Sequence, residues 1–109
     1  MANAAFDAWV VKFLGAVSAY NKQAVESYNA TRFGGRNPHR NAAISAYNKI
    51  LTLRSDLAVI LNSSAIGSAA ISSLDKIISS GEQTKSGGLP PLRTKNIQEW
   101  IKKYSDLVR

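Results

Sequence analysis

Phe6, Trp9, Val10, Phe13, Val17, Tyr20, Ala24 and Tyr28 follow one another at spacings of three and four, the signature of one apolar helix face, and predict a helix over residues 4–30. Gly34 and Gly35 interrupt that pattern. Asn37 then offers an N-cap and Pro38 a first helical position where its missing N–H costs nothing, so a second helix is predicted over about 38–62. Ser63 or Ser64 can cap a third helix that buries Ile66, Ala70, Leu74 and Ile77, with Gly81 placed to end it. Residues 81–92, rich in Gly at first and then carrying Pro90 and Pro91, read as a flexible linker that stiffens toward its end. Asn96 with Glu99 three residues on forms a capping box, and Ile97, Trp100, Ile101, Tyr104 and Val108 make the stripe of a last helix. No stretch alternates convincingly with period two, so strands are not expected.

A repeat underlies these elements. The heptapeptide AVSAYNK at 16–22 recurs as AISAYNK at 43–49 and, degraded, as AISSLDK at 70–76, each 27 residues after the last. One more step reaches 97–103, where the closing lysine and an apolar Ile101 survive. A period of that length holds one helix and its connection, and such a unit needs neighbours to cover its apolar stripe. The predicted fold is therefore a single all-α domain over 1–109, a four-helix bundle built from a duplicated 27-residue helical unit.

Composition narrows the chemistry. A chain of 109 residues can bury a core without disulfides or metal, and its apolar and charged content is that of a globular protein. Cysteine is absent and His39 is the one histidine, which removes thiol chemistry, zinc knuckles and most nucleophile–base dyads. No carboxylate pair forms a recognisable motif and no glycine-rich loop follows a strand, so neither catalysis nor a cofactor or metal is expected. The first residues lack the basic start and cleavage site of an export signal, and no apolar run approaches the length of a membrane span, so a cytoplasmic or intravirion location without membrane contact is expected.

The net charge of +7 is unevenly placed: residues 1–31 sum to zero, 32–54 to +5, 55–84 to −2 and 85–109 to +4. Arg32, Phe33, Arg36 and Arg40 surround the glycines that precede the second helix, and such a cluster suits phosphate. Guanidinium groups bind phosphate oxygens bidentately, a helix start adds free N–H groups, and Phe33 can stack on an exposed base. Arg93, Lys95, Lys102 and Lys103 extend the positive charge at the other end of the sequence. In the second helix, residues from Ala42 and Ala43 to Ile60 and Leu61 spread apolar groups over roughly 200°, wider than one packed face needs. Arg54 lies inside that arc, either paired with Asp7, Glu26 or Asp75 or contacting a partner or phosphate across a self-association surface.

The outward face of that helix (Asn41, Ser45, Asn48, Lys49, Thr52, Asp56) is mostly neutral and suits backbone tracking poorly. Residues 51–61 loosely resemble the first helix and turn of winged-helix regulators, but the would-be recognition stretch 63–73 has no Arg, Lys, Gln or Asn to read base edges. His39 reads as a solvated loop histidine, and Tyr20, Tyr47, Tyr104, Trp9 and Trp100 as core residues. The resulting expectation is a non-enzymatic nucleic-acid-binding module, RNA or DNA, that forms homo-oligomers through its second helix, as in a small viral or architectural protein. An inhibitor, immunity-type bundle or structural subunit with an acidic protein partner is the alternative.

Overall fold

The computed structural model describes residues 4–30, 38–61, 65–81 and 89–107. They form α1 (Ala4–Ala30), α2 (Pro38–Leu61), α3 (Ala65–Ser79) and α4 (Thr94–Leu107), with no strand among the described residues. The pairing of side chains across helices gives the topology. Trp9 meets Leu53 while Tyr20 meets Tyr47, so α1 and α2 run antiparallel. Arg54 meets Asp75 and Tyr47 meets Ile78, so α3 reverses again, and Ile77 beside Asn96 with Ser73 beside Tyr104 reverses α4. Trp100 also packs on Phe6 and Trp9, closing an up-down-up-down four-helix bundle.

The helices are unequal. α1 and α2 have 27 and 24 residues, α3 and α4 only 15 and 14, so the regular element of the chain is a helix with its connection rather than a module of constant length. The leading residues of the three similar heptapeptides, Ala16, Ala43 and Ala70, are all buried. Because the end of α3 lies level with Tyr20 and Tyr47, residues 22–30 and 38–46 extend beyond the shorter helices by about 13 Å, and the molecule measures 52 × 23 × 22 Å. Among the described residues of this extension, the buried side chains are the small ones of Ala24, Ser27 and Ala43.

An aromatic cluster fills the opposite half. Phe6, Trp9 and Phe13 stack along α1, with 4.7 Å between the Trp9 and Phe13 ring centres, and Trp100 lies 5.8 Å from Trp9. Each buried indole finds a carbonyl: Trp9 Nε1 donates to Leu53 O at 2.6 Å and Trp100 Nε1 to Ala70 O at 2.9 Å. An indole N–H left unpaired in such a core would cost about 1–3 kcal/mol.

The core departs from the sequence expectation in several places. Tyr28 and Ile66 are exposed, and the inward row of α3 is Gly67, Ala70, Leu74 and Ile78, with Ile77 only partly covered. Turning the small residues Gly67 and Ala70 inward leaves room for Trp100 to reach the Ala70 carbonyl. α4 starts at Thr94, with Arg93 O accepting from Ile97 N–H, so Asn96 lies inside the first turn and is not the N-cap. Gly81 follows the end of α3 for want of space: a Cβ there would stand 2.6 Å from Leu92 Cδ2 and 3.2 Å from Tyr47 Cε1. Of the expected linker, 82–88 lie outside the described residues, while Leu92 is buried and held by Asn21, whose Nδ2 donates to Leu92 O at 3.0 Å and whose Oδ1 accepts from Leu92 N–H at 2.7 Å. Part of the wide apolar arc of α2 is used within the molecule, where Leu53 O accepts from Trp9 of α1 and Tyr47 and Arg54 reach α3, while Leu51 stays 43% exposed.

Candidate nucleic-acid interface

Arg32, Phe33 and Arg36 lie outside the described residues. Arg40 is half-buried in the first turn of α2 and engaged within the chain. Beside it His39 belongs to the helix and not to a solvated loop: its Nδ1 lies 2.8 Å from Gln23 Oε1 and 3.0 Å from Glu26 Oε2. Arg54 forks onto Asp75, Nε and Nη2 donating to the two carboxylate oxygens at 2.8 and 2.9 Å, and that hydrogen bonding raises the guanidinium pKa.

The remaining predicted cations gather on α4. Lys95 and Lys102 are exposed two turns apart, about 10 Å along the helix. Lys103 lies over the Tyr104 ring, 5.3 Å from its centre, at the seam with α3. Arg93 precedes the helix and is exposed. Lys102 and Lys103 are not continuous with Arg40, because His39 is level with Gln23 on α1 while Trp100 is level with Phe6 and Trp9, a separation of about 25 Å along the bundle, whereas Arg93 follows Leu92, which is held level with Asn21.

What the fold brings together instead is an open groove of about 420 Å³ between the end of α3 and the start of α4. Lys76, Ile77, Ser80, Pro90, Pro91, Arg93 and Asn96 line it, and none of them is acidic. A second depression of about 290 Å³ adjoins it through Ile77 and Asn96 and leads past Glu99 to Lys103 and Tyr104. Three fixed points hold the walls. Tyr20, fully buried, sets its hydroxyl 2.8 Å from Gly81 O and 2.9 Å from Pro90 O, sharing one proton between both sides of the groove. Tyr47 donates to Ile78 O at 2.8 Å, and Asn21 clamps Leu92. Burial, with the nearby Tyr47 hydroxyl second, pushes the Tyr20 pKa up to about 12, so the hydroxyl stays protonated as a donor.

Electrostatically the groove is one-sided. Neither Lys76 nor Arg93 takes part in an ion pair among the described residues. Arg93 occupies the N-cap position, where a guanidinium has no acceptor to offer, and no described side chain caps the amides of Thr94, Lys95 and Asn96. Lys76, Ser80 and Asn96 are absent from the sequence-predicted set. Segment 55–84 sums to −2, which hides Lys76, and Asn96 reads as a cap. No group of three His, Cys, Asp or Glu able to hold a metal ion occurs among the described residues. No helix among them is long and apolar enough to cross a membrane. Compared with protein-family models, curated proteins and solved structures, the chain matches none.

Proposed function

We propose that this chain is a non-enzymatic module that binds nucleic acid through its phosphates, with the α3–α4 groove as a contact surface. The observation that supports it is the pairing of two cations without carboxylate partners, Lys76 and Arg93, across a groove that holds no acid and opens beside the uncapped start of α4. A phosphate seated there accepts from Arg93 in a fork, from Lys76 as a point charge and from Asn96. Lys103, in the adjoining depression, and Lys95 and Lys102, on the outer face of α4, meet further phosphates along a strand. Arg32, Arg36 and Arg40, with Phe33 as a stacking group, form a separate contact at the α1–α2 connection. Cytoplasm or the interior of a virion suits such a role.

Fluorescence anisotropy of labelled mixed-sequence 20-mers of RNA and DNA at low salt tests this reading. Wild-type protein is expected to bind, and the Lys76→Ala/Arg93→Ala double variant to bind about tenfold more weakly. Absence of wild-type binding, or equal affinity of the two proteins, rejects the groove as the contact surface.

A further inference from the structure

α1 is apolar on two sides. Opposite its buried row runs an outward stripe on which Val11 is 72% exposed, Leu14 41% and Val25 49%, with Gly15 open to solvent on all sides of its missing Cβ. Residues of this stripe recur every seven positions, as in Val11, Ser18 and Val25, the spacing that keeps a helix face turned toward a partner helix.

The stripe is complementary to itself when reversed. Inversion about a point between Leu14 and Gly15 exchanges Leu14 with Gly15, Val11 with Ser18, and exposed Asp7 with exposed Lys22. A valine thus meets a small residue and an anion meets a cation, each twice by symmetry, while Gly15 lets the backbones approach beside Leu14. In a parallel pair the same residues would oppose Asp7 to Asp7 and Lys22 to Lys22. We infer that a second copy of this chain docks antiparallel on the outward face of α1, with the two-fold axis passing between Leu14 and Gly15. The helices meet along a seam of about 30 Å and bury on the order of 800 Å² in total, at the small end of specific interfaces, so the dimer forms at micromolar rather than nanomolar concentration. This face lies on α1; α2 also leaves Leu51 43% and Val59 80% exposed, but no glycine gap or opposite charges flank them in the same self-complementary order. The inference does not rest on nucleic-acid binding, and its test contains no nucleic acid.

Sedimentation equilibrium at low salt, over micromolar to submillimolar protein, is expected to show a mass rising from 11.8 kDa toward twice that value. Asp7→Lys and Lys22→Asp each place two like-charge contacts in the seam and are expected to weaken the dimer by about tenfold or more, while the double variant Asp7→Lys/Lys22→Asp restores it. Both positions are exposed, circular dichroism checks folding, and the two single variants stand in for one another should either fold poorly. A Leu14→Cys protein is expected to be cross-linked by a short bismaleimide and a Val25→Cys protein not, since the copies of residue 25 lie about 30 Å apart. A monomer at every concentration, a dimer indifferent to the α1 charges, cross-linking through Val25→Cys, or loss of the dimer in Val59→Glu on α2 but not in the α1 variants overturns the inference.

Discussion

Replacing Tyr20 with Phe removes one oxygen atom from the point where three parts of the chain converge. The hydroxyl has no exposed surface and serves Gly81 O at 2.8 Å and Pro90 O at 2.9 Å. Its loss leaves two carbonyls short of a donor, which costs about 1–2 kcal/mol near neutral pH, or roughly 4–8 °C in Tm for a chain of this size. The same oxygen adds a second, separable effect. With the pKa pushed up to about 12 by burial, against an ordinary value of 10.0, the unfolded chain loses the proton first. The stabilisation is therefore complete below pH 10 and falls as pH rises toward 12, by roughly 2–3 kcal/mol over the window.

Urea unfolding of wild type and Tyr20→Phe at pH 8, 10, 11 and 12 separates the two terms, because every other titrating group is common to both proteins. Wild type is expected to be the more stable at pH 8, and its advantage to shrink steadily above pH 10 and reach zero or change sign by pH 12. A difference that stays constant across this range would refute the placement of the Tyr20 hydroxyl in a water-excluded position, and equal stability at pH 8 would refute the bridge to Gly81 and Pro90.

Gly81→Ala forces a Cβ to 2.6 Å from Leu92 Cδ2, and Leu92 is pinned by Asn21, so a loss of about 1–3 kcal/mol in thermal unfolding is expected, with no loss refuting the close approach. Asn21→Ala deletes both bonds to the Leu92 backbone and is expected to cost about 1–2 kcal/mol and to speed amide exchange at Leu92, with unchanged exchange counting against the clamp. A double-mutant cycle on Arg54→Ala and Asp75→Ala is expected to give a coupling below about 1 kcal/mol that fades with salt, because the side chains remain 37% and 44% exposed despite their forked geometry.

Much of the architecture was legible because helix periodicity and breakers agreed: Pro38 does head α2, α1 spans the predicted residues, and Trp9 and Trp100 lie in the core. The rotation of α3 was not legible, since Ala, Gly and Ile residues offer two overlapping stripes and only Trp100, thirty residues away, selects between them. The start of α4 was misread for a related reason. Asn96 and Glu99 satisfy a capping box locally, but the clamp on Leu92 and the prolines set the chain into its helix one turn earlier. Excess apolar width on α2 was visible in the sequence, whereas the use of part of it by both α1 and α3 is a tertiary fact. The candidate groove was half visible: Arg93 stands in a basic segment, but Lys76 comes from a net acidic one and reaches Arg93 only when α3 and α4 pack antiparallel.

Phosphate contact at that groove carries a quantitative signature in salt. Association constants for a 20-mer, measured from about 20 to 200 mM monovalent salt, are expected to fall linearly on logarithmic axes. The Lys76→Ala/Arg93→Ala slope is expected to be shallower than the wild-type slope by about 1.4–1.8, the release of counterions from two phosphates. Parallel lines for the two proteins, or wild-type affinity that does not change with salt, would contradict phosphate binding by Lys76 and Arg93.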